Sequence, residues 1–595
     1  MLYHDSHDPA YRSPVTPLPC GEKLTLGFLC DESDTVLLRT WDGSEQILPM
    51  EAVGENRFEV TLKVPEEPML FWYDFIIPRS EDTARYGNNP EQLGGVGQYW
   101  PHQPPSYQVT VYDPGYKTPE FLREGIMYQI FPDRFAKGQG AHEDRKEAIA
   151  QAHPEATFHE SWEERPALDP DPENGDNRAL DFFGGTLEGI REKLPYLARL
   201  GVTVIYLNPV FRARTNHRYD TGDYQQIDPI LGTEEDFRSL SREAEILGIH
   251  LVTDGVFSHT GADSRYFNRY GRYDSLGAFQ SQESPYSSWY TFEEFPGKYR
   301  SWWGFYTLPA INKDNPEYRR YLLNPEDGVL PGWVKKGSSG WRLDVVDELP
   351  MDLVRQMRSA VKQASPDATL IGEVWEDASN KISYGQTRSY CLGDSLDSVM
   401  NYPLRRGIID FFTGKSDSEA LCRLIRHQRE VYPAPFLYSL MNLLSSHDRV
   451  RALNAMAGYD REGAIQLPRE EAAKIHLNPQ EKTLAKKRFL SALTLICALP
   501  GIPCLYYGDE IGMEGMADPW NRGPMAWNHR DPRLYAAVKA VLSRRKASPM
   551  LQRGYLDLKA LDPDTLEIRR YGVEGLDPFG QALEGEEVTV RISRK

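Results

Sequence analysis

The chain has 595 residues, and its 87 acidic side chains outnumber the 68 basic ones, which gives a formal net charge of −19. A chain of this length predicts three or four domains, or one large barrel with additions. The acidic excess argues against bulk binding to nucleic acid or to an anionic membrane, because both need clustered Lys and Arg. Hydrophobic residues make up 40% and charged residues 26%, which is typical of a globular protein and excludes a disordered chain.

Cysteine usage and the first residues predict a cytoplasmic protein. The six cysteines show no C-x-x-C spacing, so we expect them to be reduced and mostly buried. Residues 1–5 carry no basic segment followed by an apolar one, so they predict no secretory leader. The uncharged run 489–508 is long enough to test a membrane span, but Pro500 and Pro503 favour a buried helix, a turn and a buried strand.

Residues 1–120 are predicted to form an N-terminal β-sandwich. This segment lacks helical periodicity and contains short apolar runs separated by Gly, Pro, Asp and Glu. The runs at 24–29, 36–40, 58–64 and 69–76 have the length and spacing of antiparallel strands. We therefore expect two packed sheets before the pattern changes near the end of this segment.

Residues 121–545 are predicted to form an α/β domain, a (β/α)₈ TIM barrel. Amphipathic helices alternate here with apolar strands, a pattern that is typical of βαβ units around a parallel sheet. Eight such units over a segment of this length fit a barrel with insertions. The eight candidate strands are 127–131, 202–207, 249–252, 340–343, 370–374, 398–401, 440–444 and 502–507.

Two further segments extend the barrel. Residues 260–312 follow the third candidate strand, are dense in aromatic side chains and are too long for a tight loop, so they predict an inserted subdomain over the barrel mouth. The paired Trp302 and Trp303 in this insertion are interpreted as packing residues and not as a sugar platform. Residues 546–595 return to strand-like sequence, with candidate strands at 566–571 and 587–592, and predict a short C-terminal β domain.

Polar side chains follow several candidate strands of the barrel. Active sites of such barrels lie at the C-terminal ends of the strands, so these side chains are expected to converge. The imidazoles of His259 and His447 suit the hydroxyls of a sugar, and the ring of Tyr219 suits its apolar face. The strand-end residues are Tyr219 after the second strand, Asp254 and His259 after the third, Arg342 and Asp344 after the fourth, Glu373 and Trp375 after the fifth, and His447 and Asp448 after the seventh.

A pair of carboxylates is the usual equipment for breaking a glycosidic bond, since one attacks the anomeric carbon while the other protonates the leaving oxygen. Asp344 lies two residues after Arg342, so both side chains point to one face of the strand. The guanidinium is expected to keep Asp344 ionised, as a nucleophile needs. Glu373 has the longer side chain, and its aromatic neighbour Trp375 favours the protonated form of an acid. The pattern thus predicts Asp344 as nucleophile and Glu373 as acid.

These segments resemble glycoside hydrolase family thirteen, the α-amylase superfamily. The N-terminal sandwich, together with Glu348 four residues after Asp344, is similar to the neopullulanase, cyclomaltodextrinase and maltogenic amylase group. The resemblance covers about 121–545 with its segments in the right order. Segments 254–259, 340–348, 373–375 and 447–448 resemble the four signature regions, and 128–135, 308–312 and 501–510 resemble accessory regions.

The resemblance implies a retaining hydrolase, endo- or exo-acting, of α-glucosidic bonds in α-glucans such as maltooligosaccharides, cyclodextrins, pullulan and starch. It implies a covalent glycosyl-enzyme, with Asp344 as nucleophile, Glu373 as acid/base and Asp448 as transition-state stabiliser. It also implies a possible homodimer through the N-terminal domain. The expected substrate-binding residues are Tyr219, His259, Arg342, Trp375 and His447, with Asp254 as a structural partner among them.

The segments depart from the family pattern in two places. Ser258 stands where the family usually has Asn before the histidine. Residues 137–139 and 184–186 replace segments that bind calcium in relatives, so no such metal site and no required cofactor are expected. A different calcium site remains an alternative to a solvated acidic loop. The acidic tract that could offer it comprises Asp169, Asp171, Asn174, Asp176 and Asp181.

Two other functions stay open at this level. A transglycosylase would pass the same covalent intermediate to a sugar in place of water. A carbohydrate-binding or scaffold protein with an inactive barrel belongs to another class. The joint presence of all the catalytic and substrate-holding side chains argues against the inactive barrel, which would have no use for the complete set.

Overall fold

The computed structural model describes residues 1–80, 82–172, 175–460 and 467–595. Its N-terminal part is a sandwich of a five-stranded and a seven-stranded sheet. Phe28 and Phe75 come from opposite sheets and pack with ring centroids 4.5 Å apart in the shared core. The predicted β-sandwich is confirmed. Its longer strands are Lys23–Cys30, Leu37–Trp41, Glu45–Pro49, Glu51–Gly54, Arg57–Lys63, Met69–Pro78, Thr83–Gly87 and Tyr107–Tyr112.

The central part is a parallel (β/α)₈ barrel, as the sequence predicts. Its eight strands are hydrogen-bonded in the order 6-5-4-3-2-1-8-7, and a parallel bridge between Met400 and Met441 joins the sixth strand region to the seventh. The strands are almost entirely buried, which explains their continuous apolar sequence. In chain order they are Met127–Ile130, Val204–Leu207, His250–Gly255, Gly340–Leu343, Thr369–Gly372, Ser398–Val399, Met441–Leu443 and Ile502–Tyr506.

Local sequence signals place the helices around the barrel. Thr233 and Asp236 form a capping box at the start of one helix, satisfying main-chain N–H groups that have no partner within it. Gly201 ends another helix in the left-handed region, with φ of 106°, where glycine costs least. The longer helices are Leu187–Leu200, Glu234–Ile246, Pro316–Leu323, Val329–Lys335, Met351–Ala364, Tyr402–Phe412, Ser418–Val431, Pro479–Ala498 and Pro532–Lys546.

The uncharged run 489–508 folds as a helix, a turn and a strand. The helix Pro479–Ala498 ends before Pro500, and the eighth barrel strand, Ile502–Tyr506, follows. The expected buried helix and strand are therefore confirmed. Among the residues that the structure describes, every helix is too short or too polar to cross a bilayer.

The insertion after the third barrel strand is tied back to the barrel at both of its ends. His259 and Ala310 form a β-bridge, and the N–H of Ile311 donates to the main-chain oxygen of Ser258 at 3.0 Å. Inside the insertion the ring of Phe267 packs against that of Tyr299, with centroids 4.7 Å apart. This aromatic core fixes the loop that carries Trp302 and Trp303 beside the third strand's C-terminal end.

The C-terminal part is a three-stranded antiparallel sheet of Tyr555–Asp562, Thr565–Tyr571 and Val588–Ser593. The first of these strands is absent from the sequence-based assignment. Arg570 is fully buried and donates to the carbonyl oxygens of Ala498 and Gly554 at 2.6 and 2.7 Å. The sheet is thereby joined to the segment that leads into the eighth barrel strand.

Candidate active site

A pocket of about 460 Å³ lies at the C-terminal ends of the barrel strands. Most of the predicted site residues line it, and they come from loops after the second, third, fourth, fifth and seventh strands. Arg342 and Asp254 lie beneath them, each almost fully buried. The predicted residues that line the pocket are Tyr219, His259, Asp344, Glu373, His447 and Asp448.

The guanidinium of Arg342 organises the floor of the pocket. Its Nη1 donates to Asp344 Oδ1 at 2.8 Å and to Asp254 Oδ1 at 2.9 Å, and its Nη2 lies 2.8 Å from Glu373 Oε2. Two of these carboxylates are the predicted nucleophile and the predicted acid. Because one planar group contacts both, Asp344 and Glu373 are close neighbours, as a retaining pair separated by roughly 5–5.5 Å must be.

The structure corrects the expected ionisation of Asp344. The sequence paired it with Arg342 alone, but the same guanidinium also faces Asp254 and Glu373. Burial and the neighbouring Glu373 raise the pKa of Asp344 well above its usual value, and Arg342 only partly offsets this. The free site therefore favours the protonated form of Asp344 more than an ion pair with Arg342 alone would.

Glu373 is held by donors on both carboxylate oxygens. The N–H of Val345 donates to Oε2 at 2.8 Å, and the indole N–H of Trp375 donates to Oε1 at 3.1 Å. Val345 has φ of 36°, a region that β-branched residues avoid, and this strained turn aims its N–H at Glu373. The Trp375 ring stacks on Tyr402 at 3.9 Å, so it contributes a fixed indole N–H beside the acid.

His447 is neutral, and its hydrogen bonds fix its tautomer. Gln129 Nε2 donates to Nδ1 at 2.8 Å, so the ring proton resides on Nε2, which lies 2.6 Å from the Tyr219 hydroxyl. Burial lowers the pKa of His447 well below its usual value. The Tyr219 hydroxyl in turn donates to Asp254 Oδ2 at 2.8 Å. The N–H of this neutral imidazole is therefore directed at the Tyr219 hydroxyl, and both side chains line the pocket.

The Tyr219 ring lies beside that of His447. The two rings are parallel within 6° with centroids 5.2 Å apart, and the 2.6 Å between the Tyr219 hydroxyl and His447 Nε2 places them side by side and not face to face. The stacking of Tyr219 on a sugar, which the sequence predicts, stays a prediction. Gln129 was not singled out from the sequence, although a lone amide in the apolar strand Met127–Ile130 was a visible signal.

His259 is also neutral and makes hydrogen bonds through both ring nitrogens. Ser258 Oγ lies 2.8 Å from its Nδ1, and the main-chain oxygen of Tyr219 lies 3.1 Å from its Nε2. Burial lowers the pKa of His259 to about 3. The serine that departs from the family pattern thus supplies a hydroxyl to the imidazole. The His259 ring also packs on Trp302, with centroids 5.2 Å apart.

Asp448 lines the same pocket as Asp344 and Glu373, and two side chains, His447 and Arg522, lie next to its carboxylate. His447 Nε2 is 3.1 Å from its Oδ2, and Arg522 Nη2 is 3.7 Å from its Oδ1. Burial and, after it, the charge of Glu373 raise the pKa of Asp448 to about 7. Arg522 comes from a loop after the eighth strand, and no local sequence pattern pointed to it. Its charge is available to hold Asp448 ionised once substrate displaces water.

The raised pKa of Asp448 predicts a pH-dependent gain in stability for Asp448→Asn. The folded-state pKa of about 7 exceeds the usual value of 3.8, so the folded state is destabilised relative to the unfolded state as pH rises from about 4 to about 7. The variant should match the wild type near pH 4 and be more stable by roughly 1–3 kcal/mol at pH 8. Thermal unfolding at both pH values measures this difference.

Asp34→Asn is the control for this measurement, because Asp34 is an exposed carboxylate in the N-terminal sandwich. Its unfolding temperature should differ from the wild type by the same small amount at both pH values. A stability gain for Asp448→Asn that is equal at pH 4 and pH 8 would contradict the assignment.

An aromatic cluster around Glu348 borders the pocket. Its Oε1 accepts from the indole N–H groups of Trp302 and Trp303, at 3.1 and 2.9 Å, and from the Tyr384 hydroxyl at 2.8 Å. Trp302 lines the pocket, and Trp303 is 75% exposed. The packing interpretation fits Trp302, whose ring packs on His259 and Phe305, better than the exposed Trp303, and whether either ring binds sugar stays a prediction. One carboxylate thus holds three rings from two different loops next to the pocket.

Two carboxylates of the acidic tract, Asp169 and Asp181, already have partners in the described part of the chain. Asp169 pairs with Arg178 at 2.6 Å, and Asp181 lies against Arg134 and His159 at 3.3 and 3.1 Å. Carboxylates that already face cations do not suit a divalent ion. Asn174 lies outside the described residues, and in the part of the chain that the structure describes no three acidic, histidine or cysteine side chains are grouped to hold a metal. The expectation about calcium stays a prediction.

A parallel (β/α)₈ barrel with carboxylates converging at its C-terminal face is the arrangement of a glycoside hydrolase. Residues 129–540 match the model of the alpha amylase catalytic domain, and the chain belongs to the alpha-amylase family. An amylopullulanase of Thermoanaerobacterium saccharolyticum is 36% identical over an alignment of 641 positions, which covers 100% of this chain and 48% of that protein. Neopullulanase 2 of Thermoactinomyces vulgaris is 33% identical over 74% of this chain and 65% of its own length.

The comparison with solved structures agrees with this family. The cyclic alpha-maltosyl-(1→6)-maltose hydrolase of Arthrobacter globiformis superposes with a TM-score of 0.63 and 32% identity, over 77% of this chain and 90% of that one. The chain spans less than half the length of the amylopullulanases it matches, at 48%, 42% and 33% of their sequences.

Proposed function

We propose that this protein hydrolyses α-glucosidic bonds in α-glucans with retention of configuration. The observation that carries the proposal is the pair Asp344 and Glu373, both held by the guanidinium of Arg342. Two adjacent carboxyl groups, one able to attack and one able to protonate, are what retaining cleavage requires. The amylopullulanase and neopullulanase names of relatives that share this barrel support α-glucans as the substrate class.

The mechanism follows from the positions of the three carboxyl groups. Glu373 gives its proton to the glycosidic oxygen while an oxygen of Asp344 forms a bond to the anomeric carbon, and the leaving chain departs as an alcohol. Water then gives a proton to Glu373 and adds to the anomeric carbon, which releases Asp344. Asp448 and the neutral His447 lie across the pocket, where they can bind hydroxyls of the sugar as it flattens toward the oxocarbenium-like transition state.

The site and its borders support oligosaccharide-sized substrates. The pocket of about 460 Å³ is open enough for more than the reacting sugar, and the exposed Trp303 extends it with an apolar face suited to sugar rings. We place the maltooligosaccharides, cyclodextrins, pullulan and starch in the substrate range. Bond choice between α-1,4 and α-1,6 then depends on how the Glu348 cluster receives the leaving chain.

Product analysis tests the proposal directly. Proton NMR during early hydrolysis of maltotriose is expected to show the α-anomer of the new reducing end before mutarotation. Pullulan digestion distinguishes the bonds, because panose means α-1,4 cleavage and maltotriose means α-1,6 cleavage. Early β-anomer would contradict retention. Binding without hydrolysis of any α-glucan would point to an inactive barrel, and products longer than the substrate would point to a transglycosylase.

We further propose a cytoplasmic location and a homodimer formed through the N-terminal sandwich. The six free cysteines, five of them buried, support a reducing compartment. Several large apolar side chains of the sandwich are about half exposed, including Trp41 at 43%, Ile47 at 50% and Val53 at 51%. Sedimentation velocity at micromolar concentrations measures the assembly, and a monomer at all concentrations would contradict the dimer.

A further inference from the structure

A second cavity, of about 670 Å³, shares no lining residue with the catalytic pocket and lies at the junction of all three parts of the fold. The N-terminal sandwich contributes His7, Asn89 and the loop at Gly94, and the C-terminal sheet contributes Asp557. The helix Ser418–Val431 of the barrel forms the remaining wall. The volume lies within the range of small-molecule sites, which is about 300–1,000 Å³.

The wall that this helix forms is rich in arginine, and two of its arginines form no ion pair with a carboxylate of the described residues. Arg423 has a buried Nε without a hydrogen-bond partner among the described residues. Arg429 donates to the main-chain oxygen of Leu556 at 2.8 Å and not to a carboxylate. The third arginine, Arg426, pairs with Glu419 at 2.9 Å. Arg423 and Arg429 therefore line the cavity without a direct ion pair among the described residues, and the carboxylates of Asp5 and Asp557 line it as well.

The buried acid of the cavity is already neutralised. Glu430 accepts from Arg12 at 2.5 Å and from His7 at 2.9 Å, and these partners lower its pKa to about 2. It therefore does not cancel the two unpaired arginines. The loop opposite is built for close approach, because a side chain at Gly94 would collide with the Glu430 carboxylate. This contact keeps the sandwich and the helix together around the cavity.

The other polar side chains of the cavity indicate which chemical groups a ligand would carry besides an anionic one. Asp5, Asn89 and Glu419 line the same cavity and offer oxygen acceptors. An inorganic anion would gain nothing from carboxylates, whereas hydroxyl groups would donate to them. Unpaired guanidiniums beside hydroxyl acceptors suit a molecule that is anionic at one end and rich in hydroxyls at the other. We propose that this interdomain cavity binds a small sugar phosphate, with the phosphate on Arg423 and Arg429.

Isothermal titration calorimetry on the full chain tests the site with glucose 1-phosphate, inorganic phosphate and glucose as probes. Glucose 1-phosphate should bind with a Kd below about 1 mM, and each of the other probes should bind at least about tenfold more weakly. The double variant Arg423→Ala/Arg429→Ala should lose at least about tenfold in affinity for glucose 1-phosphate. Equal binding of glucose and glucose 1-phosphate would overturn the proposal, as would undiminished binding by the double variant, which would place the ligand elsewhere.

Two further variants keep the test decisive. Arg423→Ala alone breaks no hydrogen bond to Leu556, so it should fold normally and still weaken binding at least about threefold. Arg544→Ala removes an exposed arginine from the helix Pro532–Lys546, outside the cavity, and should bind like the wild type. Equal losses in Arg423→Ala and Arg544→Ala would mean a general charge effect and would refute a specific site. Hydrolysis of maltotriose by these variants should remain within about twofold of the wild type, which separates this site from the catalytic one.

Discussion

Asp344→Asn is expected to lower kcat/KM for maltotriose by about 10⁴-fold or more, because no other group can form the bond to the anomeric carbon. The amide is nearly isosteric, so it should still accept from Arg342 and leave the pocket floor in place. Burial and Glu373 already raise the pKa of Asp344, so the neutral amide should not lower the unfolding temperature. The expected variant is therefore stable, binds substrate and is nearly inactive.

Rescue by azide distinguishes the loss of a nucleophile from a general disturbance. In Asp344→Ala, azide can enter the vacated space and displace the leaving group of maltosyl fluoride from the opposite face, which gives the β-glycosyl azide. Retained activity of Asp344→Asn above about 1% of wild type would contradict the assignment. A folded Asp344→Ala that forms the α-glycosyl azide would do the same, since attack would then have followed a covalent intermediate.

The fold was predictable because its signals are local. Apolar strand runs, the capping box at Thr233 and the glycine stop at Gly201 each act within a few residues, and the structure places an element at each of them. The strand Tyr555–Asp562 was missed because its inward-facing side chains are few, with Leu556 and Leu558 buried between charged or exposed neighbours. Short alternation of that kind is not distinguishable from a loop without the partner strand.

Strand-end residues of the site were predictable for a topological reason. Parallel strands of a closed barrel end at one face, so polar residues after several strands must meet there. Arg522 and Gln129 could not be found in this way, because they reach the site across the barrel from the far end of the chain and from inside a strand. The position of Trp303 was also hidden, since its exposure depends on how the whole insertion packs.

Charge was the least predictable property of the site. The sequence offers the neighbours Arg342 and Asp344, which suggests an ion pair and an ionised nucleophile. The structure buries Asp344 and Asp448 and brings carboxylates from other strands beside them. Burial and, after it, the charge of Glu373 raise the pKa of both groups. Interactions between strand ends are set by three-dimensional distance, which no spacing along the chain encodes. The cluster costs folding stability and leaves the site able to hold a catalytic proton.

Glu373→Gln is expected to lower kcat for maltotriose by about 10³-fold or more, because an alkoxide cannot leave without a proton. The effect should depend on the leaving group, which a merely structural role would not produce. Maltosyl fluoride needs no proton to depart, so its first step should slow by far less than the first step on maltotriose. Stopped-flow release of fluoride measures that step. An equal loss on both substrates would contradict the role of Glu373 as the acid.

The second step of the reaction gives an independent check of the role of Glu373. Here azide should give the opposite anomer of the glycosyl azide to the one expected from Asp344→Ala. In Glu373→Ala, the glycosyl-enzyme on Asp344 forms from maltosyl fluoride but lacks a base to activate water, so azide should intercept it. The bond to Asp344 is β, and attack from the other face gives the α-glycosyl azide. Trp375 and Val345 donate to Glu373 in the wild type. In Glu373→Ala they keep their positions only if the loops after the fourth and fifth strands do not collapse into the space left by the side chain. Glu373→Gln has nearly the same shape and keeps an oxygen acceptor for one of these two N–H donors. The α-azide from Glu373→Ala, together with a leaving-group effect in Glu373→Gln, therefore assigns the acid/base role to Glu373.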